Sequence, residues 1–411
     1  LDSSQTLVYV VYLVGFSGFV GYFTKNLSKQ GIERIDSYLI WLASVVLSLI
    51  SCAIIQWGFE MDALLAFNDA KFIYSAINED FLSRIWMVFL TGGNSFYPKS
   101  YFQILDASNS WSHIASWTTM RVYLLFIFLS KASIWNVSIF FAFLSWSAKI
   151  NILRIYNLRS GQSISKIFFW FMLVGGTDIF FISGLYKETI FFACLMMSLW
   201  LFFKSNRKWL EYLIIIVCVY VMLNIKFDVF VILISPFFIY RAAQYLRDVA
   251  LVRILWSAII VSLIAGLLTY RYLWPYLLLK KLRFSNKASG NTVLEGYQWS
   301  TSMVENLANF IKHFLGIFYT SFFSNNELKH LTIIGFVTLL TLVFLFYLVF
   351  RILIQSSLRK KWLLVSCMVG FSIIAFYVPN YITQLRYRSI YMILFVFWLF
   401  LNKKHIKKIH M

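Results

Sequence analysis

Three short stretches set charged side chains inside apolar sequence. SGLYKETIFF (183–192) places Lys187 beside Glu188, LNIKFDVF (223–230) places Lys226 two residues from Asp228, and QLRYRSIYMILF (384–395) places Arg386 two residues from Arg388. A fourth, FEMDALLAFNDAKFIYSAINED (59–80), gathers Glu60, Asp62, Asp69, Glu79 and Asp80. A charge at the centre of a membrane-spanning segment costs about 2.5–3.5 kcal/mol on insertion scales and less near the interface, so each needs a partner or a task. Arginine's planar fork matches phosphate oxygens in a bidentate way and lysine adds a point charge. Arg386, Arg388, Lys187 and Lys226 could thus hold a phosphate, while a carboxylate nearby takes the proton of a hydroxyl attacking a sugar's anomeric carbon. Asp69 is the candidate for that carboxylate, because Phe67, Phe72, Ile73 and Tyr74 surround it in sequence. Asp62 lies seven residues earlier, about two helical turns, and so shares its face if the stretch is helical. Plainer readings stand beside these. Glu79 and Asp80 suit a solvated loop, and Lys187 and Glu188 suit snorkelling into headgroups or a mutual ion pair. Asp178, in LVGGTDIFF (173–181), is a further candidate that could instead pair with Arg121 or Lys149.

The elements that must position these residues are membrane helices. The 411-residue chain is 60% hydrophobic and 13% charged, a balance that no soluble domain with a polar surface has. A bilayer core of about 30 Å needs about 20 apolar residues in a helix. On that ruler about twelve spans, within a range of 11 to 13, begin near Thr6, Tyr38, Ser116, Ile134, Ile167, Thr189, Trp209, Asp228, Ile254, Leu331, Trp362 and Ser389. The first apolar run lacks the basic lead and cleavage site of a signal peptide, and reads as a retained span. The expected fold class is all-α, a polytopic transmembrane helix bundle forming one domain over 1–411. A first outer loop runs over 58–113 and a second over 275–330, and each holds an amphipathic stretch, FLSRIWMVFL (81–90) and MVENLANFIKHFLGIFYTSFF (303–323).

The formal net charge is +20, and Lys and Arg crowd short connectors and the C-terminal tail, as the positive-inside rule requires of cytoplasmic segments. FKSNRK (203–208), RAAQYLRDVALVR (241–253), SSLRKK (356–361) and the tail NKKHIKKIHM are expected inside, with the C-terminus cytoplasmic. The turn SGLYKET, the hairpin NIKFD (224–228), the loop from about Pro275 to His330 and PNYITQLRYR (379–388) are then outside. The basic stretch RIYNLRSGQSISK (154–166) is also expected inside. Two spans lie between it and the first outer loop where an odd number is required, so one segment there is misassigned, a re-entrant piece around 81–90 being one candidate. Nucleic acid is not an expected partner. Cys52, Cys194, Cys218 and Cys367 all fall in apolar stretches and read as small buried side chains. No HExxH, Walker loop, GxSxG or CxxC is present, so zinc, nucleotide-driven and serine-hydrolase readings lack support.

NDAKFIYSAI in the first outer loop, SGLYKETIFF at a mid-chain turn, LNIKFDVFVILISPFF as a tight hairpin and VPNYITQLRYRSIYMILF near the end occur in that order. The arrangement resembles the GT-C-like integral membrane glycosyltransferases of bacterial envelope polysaccharide loci. The resemblance implies Asp69 as catalytic carboxylate and Lys187 with Glu188 as an outer-face site pair, Glu188 being the second catalytic candidate. It also implies Lys226, Arg386 and Arg388 as lipid-phosphate contacts, with Asp62, Tyr74, Asp228 and Asn380 as further substrate-binding candidates. The implied donor is a polyprenyl-phosphate-linked sugar and the acceptor a glycan or lipid-linked glycan. The implied place is the extracytoplasmic face of the bacterial inner membrane, among membrane lipid, in some members with a divalent cation (Mg or Mn). Two departures stand out: Lys226 occupies a place where many relatives carry Arg-Pro, and no Asp-Asp or Asp-Glu pair closes the first-loop motif, which removes the usual metal-binding signal. Two other readings compete. One is an O-antigen-type polymerase or ligase. The other is a transporter or flippase of lipid-linked sugars, which would place charges along a path at mid-membrane depth and show internal repetition.

Overall fold

The computed structural model describes residues 3–28, 32–56, 61–77, 114–130, 133–160, 166–204, 208–227, 229–233, 308–309, 367, 370–371 and 381–401. The chain divides into two compact units, Leu1–Phe227 and Asp228–Met411. No strand occurs among the described residues. In the first unit the helices are α1 (Ser3–Ser28), α2 (Arg34–Gln56), α3 (Met61–Ile77), α4 (Ile114–Ser130) and α5 (Ile134–Ser160). After them come α6 (Lys166–Val174), α7 (Gly176–Phe181), α8 (Lys187–Phe203) and α9 (Trp209–Ile225). In the second unit α10 covers Tyr381–Leu401. The chain's four prolines all fall outside these helices, and Pro379 stands just before α10, where a missing N–H costs least.

Among the described residues three helices are long and apolar enough to cross a membrane: Gln5–Leu27, Arg34–Gln56 and Ile134–Asn157. Thr118–Ser130 and Trp209–Ile225 are shorter apolar helices. The span expected from Ile167 is instead two pieces, α6 and α7, broken at Gly175. A side chain at Gly175 would run into the Phe171 carbonyl and, at 2.8 Å, the Ile179 side chain, so the break depends on glycine. The spans expected from Asp228, Ile254, Leu331 and Trp362 begin outside the described residues, which include only 229–233 of the first of these; the amphipathic stretch 81–90 and all but 308–309 of the second also lie outside them.

α5 is the axis of the first unit, packed most extensively by α2 and α8 and also by α1 and α4. Aromatic rings fill the α1–α5 seam, with Phe16 against Phe140 and Phe143 and Phe23 against Trp146. That order of contacts makes α1 parallel to α5. α2 runs antiparallel, joined by hydroxyls: Ser48 donates to the Ser138 carbonyl (2.7 Å), Ser44 meets Ser145, and the Trp146 indole N–H donates to Ser37 (3.3 Å). Small polar residues let two membrane helices approach closely and bond without a bulky side chain between them. α8 runs parallel to α5, since Asn151 reaches Met197 and the Arg154 guanidinium lies 3.9 Å over the Trp200 ring.

The C-terminal end of α5 is therefore shared by Lys25 of α1, Arg34 of α2, Lys166 of α6, Lys204 and Lys208. Arg154 departs from the sequence expectation of a basic connector: it is inside α5, buried, bonded to Asn151 and stacked between Trp200 and Phe23. The weakly hydrated faces of its planar guanidinium lie over aromatic rings, which explains why a helix core accepts it. Among the described residues of the second unit, Phe371 packs on Tyr391 and Phe395 of α10, and Gly370 fits where any side chain would strike the Tyr391 ring.

The turn between α7 and α8 is buried from Ser183 to Tyr186. A methyl group on Gly184 would overlap both Oγ and Cβ of Ser51 on α2. Gly184→Ala is expected to destabilise the protein by about 1–3 kcal/mol through overpacking, read as a lowered melting temperature in lipid nanodiscs.

Candidate functional site

The site is organised by the turn 182–186, which four helices hold. α2 contributes Ser51, whose Oγ accepts the Leu185 backbone N–H at 3.1 Å. α4 contributes Tyr123, whose hydroxyl donates to the Leu185 carbonyl at 2.6 Å. α5 contributes Lys149 and Ser145, which donate to the Ser183 hydroxyl at 2.9 and 3.0 Å. α8 contributes Thr189, whose hydroxyl reaches the Gly184 carbonyl at 2.7 Å. The Tyr186 ring closes the turn against Phe180 and Phe181. A turn inside an apolar bundle must have its backbone polar groups met by protein, and here side chains from separate helices supply the partners.

Glu188 follows, in the first turn of α8, and its Oε1 lies 2.7 Å from Nζ of Lys226, the residue that caps α9. Both side chains are at most 2% exposed. The pair matches both helix dipoles, with the acid at the positive N-terminus of α8 and the base at the negative C-terminus of α9. At the far end of the same hairpin Lys204 caps α8 and pairs with Glu211 in the first turn of α9 at 2.6 Å. Glu211 also accepts the Lys208 backbone N–H at 3.0 Å.

The sequence candidates fall into place as follows. Glu188 and Lys226 are brought together, so Glu188 bonds a lysine 38 residues away in sequence while its neighbour Lys187 is half-buried. Asp69 is buried on α3, on the face that also buries Phe67 and Ile73, whereas Phe72 is exposed on the other side. Tyr74 stands edge-on to Phe128 of α4 at 5.1 Å, a packing contact. Phe67 packs against Tyr123, the residue that holds Leu185, so α3 reaches the turn through one aromatic contact. Asp62 lies in α3 one turn-pair before Asp69. In the second unit, Arg386 and Arg388 are buried on α10. Asp228 and Asn380 lie outside the described residues. Asp178 is buried in α7, and Lys149 bonds serines.

Sequence reading missed the serines. Ser44, Ser48 and Ser51 at spacings of four and three put hydroxyls on one face of α2, and that spacing is the signal that marks a helix bonded through its side chains. Among the described residues no three His, Cys, Asp or Glu side chains come together. All four cysteines are free. Comparison of the chain with protein-family models, curated proteins and solved structures finds no match.

Removing one partner of a buried ion pair leaves the other charge uncompensated. Lys226→Met is expected to cost about 3–5 kcal/mol, and Glu188→Gln combined with Lys226→Met clearly less, as a thermal or denaturant melt of the protein in nanodiscs will show. A double variant whose loss equals the sum of the two single-variant losses would mean the pair carries no coupling.

Proposed function

We propose that the chain is a membrane glycosyltransferase of GT-C-like type, built as a bundle of about twelve spans. It moves a sugar from a polyprenyl-phosphate donor to a glycan or lipid-linked acceptor on the extracytoplasmic face of a bacterial inner membrane. The observation that carries the reading is a buried carboxylate, Asp69, on a helix tied through Phe67 and Tyr123 to the turn that presents Glu188 and Lys226.

In this mechanism Asp69 takes the proton of the acceptor hydroxyl as its oxygen attacks the anomeric carbon. The bond from that carbon to the phosphate oxygen breaks, polyprenyl phosphate leaves with the electron pair, and the anomeric configuration inverts. Lys226 and Lys187 are assigned to the phosphate, and the same role is assigned to Arg386 and Arg388. Because Glu188 is committed to Lys226, its part is to hold that ammonium, and general-base work falls to Asp69 alone. The grouping of Lys25, Arg34, Lys166, Lys204 and Lys208 at one end of the first unit supports the orientation. By the positive-inside rule that end is cytoplasmic, and the Glu188–Lys226 end of the hairpin faces outward.

Transport of lipid-linked sugars is the second reading, favoured by one observation: Arg121, Lys149 and Asp178 are buried within helices, where a transport path would need charge. One experiment separates the two. Purified protein in lipid vesicles is given radiolabelled polyprenyl-phosphate hexoses and candidate acceptors. Wild type is expected to transfer sugar and Asp69→Asn to lose about 10²- to 10⁴-fold in rate. Equal transfer by both removes Asp69 from the chemistry, and movement of intact donor without bond cleavage supports transport.

A further inference from the structure

Lys149 sits in the middle of α5 and is completely buried. Its Nζ donates to Ser183 of the turn at 2.9 Å and to Ser44 of α2 at 3.3 Å. Ser44 in turn meets Ser145 at 3.4 Å, and Ser145 meets Ser183 at 3.0 Å. Four polar heads thus close a ring that joins α2, α5 and the turn, and all three serines are as buried as the lysine. Among the described residues no carboxylate bonds Lys149, so the ring is not one half of an ion pair. Hydrogen bonds in a closed cycle polarise one another, and loss of one member leaves its neighbours buried without partners.

The ring grips Ser183, Ser51 and Tyr123 grip Leu185, and Glu188 comes three residues later. We propose that Lys149 is the positioning residue of the candidate site, setting through Ser183 where α8 begins and therefore whether Glu188 meets Lys226. The proposal rests on the reading of Lys226 as a contact for the donor's phosphate. A displacement of the turn by an ångström or two would open a 2.7 Å ion pair, whereas the helices themselves have independent packing along α2, α5 and α8.

The test uses the full-length protein in nanodiscs, with Lys149→Met and the gentler Ser183→Ala. Amide hydrogen exchange is followed by mass spectrometry in peptides covering 183–188 and, as an internal reference, the middles of α2 and α5. Exchange in 183–188 is expected to rise about tenfold or more while the reference peptides stay protected. For polyprenyl-phosphate hexose transfer, KM for the donor is expected to rise about tenfold with kcat within about twofold of wild type. A ring that is mere structural cement gives the opposite pattern, a lower kcat from a smaller folded fraction at unchanged KM, and that result overturns the proposal. Unchanged exchange in 183–188 in both variants overturns it as well. If Lys149→Met does not fold, Ser183→Ala decides. If wild type transfers no sugar, the proposed function fails, and the exchange experiment alone decides whether Lys149 fixes the turn.

Discussion

The first unit is arranged around a carboxylate and an ammonium that have left water together. Neither Glu188 nor Lys226 can be buried alone at tolerable cost, so α8 and α9 must present them to each other across the hairpin. The requirement propagates outward. Glu188 needs α8 to start at Lys187, which needs the turn at 182–186, which needs partners from α2, α4 and α5 for its backbone and hydroxyl groups. The seemingly excess serines of α2 and the glycine at 184 are then geometrical necessities, the first supplying bonds and the second allowing the close approach that makes them short.

The hairpin carries a Lys–Glu pair at each end, and both are oriented to complement the same two helix dipoles. Their surroundings differ. Lys204 is 37% exposed, so its pair with Glu211 is screened and contributes little to stability, acting mainly to end one helix and begin the next. The Glu188–Lys226 pair has no such screening, and its worth lies in specifying one register between α8 and α9. Two chemically identical contacts therefore do different jobs because one faces water and the other does not.

The helical class, the membrane character and the importance of SGLYKET were legible because each rests on local signals: apolar run length, charge in an apolar setting and small residues at a turn. Glu188's partner was not legible. Sequence adjacency offered Lys187 as the partner of Glu188, but helix direction decides, and an acid in the first turn of one helix of an antiparallel hairpin faces the last residue of the other. Arg154 was read as a connector residue from its basic neighbours, while the aromatic rings that accept it, Phe23 and Trp200, come from distant helices. The break at Gly175 was visible only as two glycines in an apolar run, and its sharpness depends on the Phe171 and Ile179 atoms packed against it.

The buried pair also bears on how the polypeptide enters the bilayer. Glu188 emerges from the ribosome 38 residues ahead of Lys226, so α8 on its own would carry an unmatched carboxylate into lipid. Partitioning of the two helices together meets that cost, since the carboxylate is then matched by an ammonium when both leave water.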